Sequence, residues 1–148
     1  MSGKNIVGLG VFVCIFNKDF SKIMLIRRNA EKRKRWGADW SNVGGKIEFG
    51  EESKQACIRE VKEETRLKIN HRNLTLIDVK ETPHFLPHVH AIHFVYATTI
   101  NEGSKIILNS ESDGYGWFSI KKLPDKLLDS KKDILNWRTR SRSNANKG

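Results

Sequence analysis

Three glutamates, Glu60, Glu63 and Glu64, lie within five positions of one another in the stretch GGKIEFGEESKQACIREVKEETRL. On a helix, at about 100° per residue, they would share one arc, where like charges at such spacings repel. A hard divalent cation such as Mg²⁺ is bound by carboxylate and carbonyl oxygens, with waters and substrate phosphates completing its shell, and would offset that repulsion. The residues around the trio suit the same chemistry. Gly44 and Gly45 permit close backbone approach and expose carbonyls just before the acidic segment, Glu51 precedes the helix, and Arg59 adjoins Glu60. The competing expectation is a solvated face balanced by Lys54, Arg59 and Lys62.

The elements that would hold these groups follow from pattern. Residues 52–65 lack Gly and Pro and are dominated by helix formers, so a helix is expected there, capped by Glu52 or Ser53 and packed through Ile58 and Val61. Residues 8–16 and IMLIRR read as two strands joined by the turn NKDFSK. NAEKRKRWGADWSN, polar, basic and broken by Gly37, reads as a surface loop. Downstream, LTLIDVKET and HVHAIHFVYATTI read as strands, KIILNSESDGYGWFSI as strand, loop and strand, and LPDKLLDSKKDILNW as a closing helix. RTRSRSNANKG has a single Ala as its apolar content and reads as a disordered basic tail, so residues 1–137 form the expected domain and 138–148 the tail. Hairpins mixed with helices give an α+β or α/β/α layered architecture.

At 148 residues the chain has room for one substantial core. Its two cysteines, Cys14 and Cys57, form no CxxC pair, which argues against a disulfide framework and fits a reducing cytoplasmic setting. No apolar run reaches the roughly 18 residues of a membrane-spanning helix. The net charge of +10 suits a phosphorylated small molecule or nucleic acid, with one basic cluster from Arg27 to Arg35 and another from Lys131 onward.

Residues 45–67 resemble the Nudix box: Gly, five residues, Glu, seven residues, Arg-Glu, an aliphatic residue, any residue, Glu-Glu, any residue, Gly and an aliphatic residue. Here these are Gly45, Glu51, Arg59, Glu60, Val61, Glu63, Glu64 and Leu67, with Arg66 standing where the family has glycine. A looser likeness extends over about residues 6–128. The resemblance implies a Nudix fold, an α/β/α sandwich around a mixed sheet. It also implies hydrolysis of a diphosphate linkage in a nucleoside diphosphate joined to some moiety X, with Mg²⁺, or Mn²⁺ in its place. Carried over by position, Glu60, Glu63 and Glu64 are the expected metal ligands with the Gly44 carbonyl, and Glu51 is expected to pair with Arg59. Family members are often dimers, so a homodimer is a further expectation. Glycine at position 66 would take a left-handed conformation past the helix; Arg66 there costs roughly 1 kcal/mol and removes no ligand.

Lys46, directly after the double glycine, and Arg27 and Arg28 at the end of a strand are candidates to neutralise phosphate, and Trp36, Trp40 or Phe85 to stack on a base. The general base varies across the family between a motif glutamate, here Glu63 or Glu64, and an acid from a downstream loop, for which Glu111 is favoured with Glu81 and Glu102 behind it. His84, His88, His90 and His93 fall within ten residues, but strand alternation and the lack of a nearby cysteine favour pocket or buried roles over zinc. The short chain resembles nucleoside-triphosphate-cleaving members. Alternatives are an ADP-ribose pyrophosphatase, to which Pro83 points, an RNA 5′-end pyrophosphohydrolase using the basic segments, and a non-catalytic nucleotide-binding module.

Overall fold

A computed structural model describes residues 4–147. Its centre is β1 (Ile6–Phe16), which is buried on both faces from Gly10 to Phe16 and reads as a continuous apolar run there. β1 pairs in parallel with β6 (Val89–Thr99), and antiparallel with β2 (Lys22–Arg28) and β4 (Val43–Lys46). The main path of the sheet is β3 (Trp40–Ser41), β2, β1, β6 and β5 (Thr75–Leu86), with β7 (Ser112–Ser119) on β2, so the sheet is mixed.

Strand alternation divides the core. Val11, Val13 and Ile15 face α2 (Ser53–Thr65), packing with Ala56, Cys57 and Val61. Phe12, Cys14 and Phe16 face the other way, toward Ile134 and Trp137 of α3 (Lys131–Ala145). The result is the expected α/β/α sandwich, and it places Cys14 and Cys57 in different core clusters, both as free thiols. Among the described residues no helix is long and apolar enough to cross a membrane.

The fold departs from the sequence expectation in three places. Within the supposed basic loop, Ala30–Trp36 is a helix, α1: Asn29 caps it by accepting from the Lys32 N–H at 2.9 Å, and Gly37 ends it at φ 67°. Residues 105–109 make no strand, since Ile107 N–H bonds Thr65 O at the end of α2 while Ile106 and Leu108 pack on the core beside it. The closing helix starts later than expected and runs on to Ala145, into the segment expected to be a disordered tail, of which Gly148 lies outside the described residues. Ser141 continues the buried stripe of Ile134 and Trp137, its hydroxyl satisfied by Trp137 O, so a small polar residue does the packing an apolar one would do. Arg140 Nη1 also donates to Ile77 O at 3.0 Å. The boundary expected at 137/138 therefore falls inside α3.

Candidate active site

The two glycines of β4 explain how an acidic helix can lie against a sheet. A Cβ on Gly45 would collide with the Glu60 carboxylate, with Oε2 only 2.8 Å away, and one on Gly44 would strike Val11 O. Backbone without side chains thus forms a cradle for the α2 carboxylates. Gln55 accepts the Glu52 N–H at 2.8 Å at the start of α2, and Arg66 ends it in the left-handed region at φ 65°.

Arg59 is the clamp of this region. It grips Glu51 with two bonds of 2.8 and 2.9 Å, reaches Lys46 O at 2.9 Å, and donates to Glu60 Oε1 at 2.8 Å. The bonds from Arg59 hold the Glu51 carboxyl down at about 2 and raise the guanidinium well above its ordinary range. Glu60 behaves differently: burial, assisted by Glu64 and Glu63, pushes its carboxyl up to about 7 despite the bond from Arg59.

Glu64 does not point outward with its neighbours. Cys57, Val61 and Glu64 follow at i, i+4 and i+7, so the carboxylate enters the buried face and is 1% exposed. It pairs there with Arg28 and accepts the Gly44 N–H at 3.2 Å. Arg28, expected to meet phosphate, is itself buried, donating to Ser41 Oγ at 2.9 Å and lying 5.3 Å from the Trp36 ring centroid. Burial outweighs the arginine and leaves the Glu64 carboxyl above its usual range.

Glu63 remains solvent-exposed at the end of this face. Asn109 bonds Glu63 O and the Glu111 N–H, both at 3.0 Å, which stitches the Glu111 loop to the end of α2. Glu111 itself pairs with Lys32 at 3.1 Å. Glu102 bonds Asn17 and Lys22, and Glu81 pairs with His90, so neither is brought to α2. Arg27 pairs with Asp113 at 3.2 Å. Trp40 is not a cleft residue: it packs edge-on against Phe118 at 4.8 Å on the α3 side of the core.

Among the described residues no three His, Cys, Asp or Glu side chains form a ready metal cluster, and Glu60 and Glu64 are engaged by arginines. The donors nevertheless fit a hard divalent cation: they are carboxylate and carbonyl oxygens, gathered over the Gly44–Gly45 cradle. Beside them opens a cleft of about 440 Å³, lined by Phe12, Trp36, Phe85 and His93 and by the basic Arg28, Lys32, Arg35 and Lys46. Sequence reasoning placed Lys32 and Arg35 in a basic cluster without assigning them to a cleft, and it missed Phe12, for which the signal was a pair of glycines, Gly8 and Gly10, inside an otherwise bulky strand.

Comparisons with known proteins bear on the family and the fold. Residues 7–138 match the NUDIX domain family. The dihydroneopterin triphosphate diphosphatase of Escherichia coli K12 is 32% identical over 85 residues, 57% of this chain and 53% of that protein, so the chain spans about half the length of that relative. An ADP-ribose pyrophosphatase of Methanocaldococcus jannaschii is 30% identical over 84% of this chain and 71% of its own. Among solved structures, a MutT NUDIX hydrolase from Burkholderia pseudomallei superposes with a TM-score of 0.71 at 22% identity, covering 89% of this chain and 96% of that one.

Proposed function

This chain belongs to the Nudix family, and on that premise we propose that it is a pyrophosphohydrolase that cleaves a diphosphate linkage in a nucleoside triphosphate or a related nucleotide. One observation carries the reading: the acidic face of α2 lies over the glycine cradle beside a cleft whose lining has four cations and no carboxylate. Phosphate charge is welcome in such a cleft, and a divalent cation has oxygen donors at its edge.

Glu60, Glu63, Glu64 and the Gly44 carbonyl are the groups that would hold Mg²⁺ or Mn²⁺. The bound ion would supply charge neutralisation at the phosphates and a lowered pKa for the attacking water. Arg59 holds Glu51 and Glu60 in register with β4, and Arg28 keeps Glu64 in place by its buried charge. Lys46, Lys32 and Arg35 neutralise the polyphosphate, and Glu111, tied to α2 through Asn109, is the candidate base. A triphosphate is also what the name of the Escherichia coli relative specifies, whereas the archaeal relative's name supports ADP-ribose as the second reading.

The test is a panel of dNTPs, NTPs, oxidised dGTP, dihydroneopterin triphosphate, ADP-ribose and 5′-triphosphate RNA, assayed with Mg²⁺ for phosphate or pyrophosphate release. Glu63→Gln should lower kcat/KM by at least roughly a hundredfold. Turnover of the best substrate that survives EDTA, or that survives this substitution, contradicts the proposal. Tight nucleotide binding with no product would instead identify a non-catalytic module.

A further inference from the structure

A line of buried polar groups joins the start of α3 to the acidic helix α2. At its middle is Asn42, which occupies the single position between β3 and β4, two residues before Gly44, and is 1% exposed. Its Nδ2 donates to Asp129 Oδ2 at 3.4 Å, and its backbone carbonyl accepts from Arg28 Nη2, also at 3.4 Å. Asp129 is buried just before Ser130, the cap of α3, and its other oxygen accepts from Lys80 Nζ at 3.2 Å. Lys80 is held in turn by Asp133 at 2.8 Å. At the far end Arg28 donates to Ser41 Oγ and pairs with Glu64.

Stability alone is a poor reason for this construction. A buried carboxylate with its lysine is costly to desolvate, and apolar residues of like size often pack such a space at least as well. Nor is the Asn42–Asp129 contact needed to bring the two segments together. Backbone bonds already do so, from the Leu128 N–H to Trp40 O at 2.9 Å and from the Asp39 N–H to Lys126 O at 2.8 Å. What the contact adds is a fixed orientation for Asn42, whose carbonyl receives Arg28 and whose chain leads through Val43 into the Gly44–Gly45 cradle. Two oxygens expected to meet a divalent cation therefore depend on one residue. The Glu64 carboxylate is tied to it through Arg28 and through the Gly44 N–H at 3.2 Å, and the Gly44 carbonyl through two steps of chain. Groups that hold a metal's ligands in this way set affinity almost as strongly as the ligands do.

We propose that Asn42 and Asp129 are positioning residues for the divalent-cation site: anchored by Lys80, they hold the carbonyl that receives Arg28, and so keep Glu64 and Gly44 ready for the ion. The turnover arm of the test rests on the hydrolase reading above; the metal-binding arm does not.

In the metal-binding arm, Mn²⁺ is titrated into the full chain and the free ion is followed by electron paramagnetic resonance. Asn42→Leu, a change of similar size, should weaken Mn²⁺ about tenfold. In the turnover arm, the same variant should need about tenfold more Mg²⁺ for half its maximal rate and lose about tenfold in kcat, with KM for the nucleotide changed less than about threefold. The exchange of Asn42→Asp with Asp129→Asn keeps one donor facing one acceptor and should recover most of the Mn²⁺ affinity. No recovery would place the loss in packing rather than in the contact and overturns the proposal. A network that only holds the fold would lower the melting temperature and leave Mn²⁺ affinity unchanged in the folded variant, which overturns it too, as does a wild-type chain that binds no Mn²⁺. Should Asn42→Leu fail to fold by thermal melting, its combination with Asp129→Leu, which leaves no carboxylate stranded at that position, decides by the same readings. Weakened Mn²⁺ binding in the variants, with no turnover of any nucleotide by the wild-type protein, would sustain the positioning roles and remove the hydrolase reading.

Discussion

Two arginine–glutamate pairs, Arg59–Glu51 and Arg28–Glu64, whose glutamates are thirteen residues apart in sequence, show opposite balances of the same forces. Arg59–Glu51 is partly open to water, and there the hydrogen bonds win, holding Glu51 near 2. Arg28–Glu64 is closed, and there desolvation wins, leaving Glu64 above its ordinary value although its counter-ion is in contact. The lesson is that pairing alone does not fix the energetics of a carboxylate; the water taken from it matters as much. The open pair serves as a brace for the loop before α2, while the closed pair is a buried charge kept tolerable by its partner.

The sharpest way to break this contrast is to remove one member of the closed pair. Arg28→Met should destabilise the fold by about 3–5 kcal/mol in urea unfolding, because it strands a carboxyl group, and Glu64→Gln added to it should regain most of the loss. Strict additivity of the two changes would deny that they are coupled.

His93 asks whether burial governs a base as it governs Glu64. Its pKa is about 4 in the fold against an ordinary 6.5, so between those values the unfolded chain holds the extra proton. Stability from this group is complete above pH 6.5 and is lost as pH falls toward 4, a span of about 3 kcal/mol. The difference between the wild-type and His93→Phe stability profiles should show that slope, and parallel profiles would refute it.

The open pair should respond more weakly. Glu51→Gln should cost about 1 kcal/mol at pH 7. The wild-type advantage, full above pH 4.5, should fade as acid approaches pH 2, where Glu51 takes its proton. Smallest of all, Arg66→Gly should stabilise by up to about 1 kcal/mol, since glycine tolerates φ 65° without strain, with kcat changed less than about threefold. A thousandfold gain in turnover would give Arg66 a role in the site that its position at the helix end does not suggest.

Local chemistry made much of this molecule readable. α2 followed from fourteen positions free of Gly and Pro, β1 from its bulky alternation, and the left-handed turn at Arg66 from the family spacing. Short or polar elements were not readable in the same way. α1 looked like a loop because seven basic-rich residues carry no apolar stripe, although Asn29 and Gly37 were cap signals in plain view. The end of α3 looked disordered because Ser141 was counted as polar, when its hydroxyl bonds the helix backbone and its small body packs.

The sequence by itself determined which groups are present: a run of carboxylates behind two glycines, an arginine to brace them, and an excess of cations to face phosphate. Those are matters of composition and spacing over a few turns of chain. Only the tertiary structure decided which way the groups point. It turned Glu64 inward against Arg28, moved Trp40 into packing on the α3 side, stitched Glu111 to α2 through Asn109, and set His93 opposite Gly10. Each of those outcomes depends on burial by residues distant along the chain, and burial sets the strength of every charge and hydrogen bond in the site.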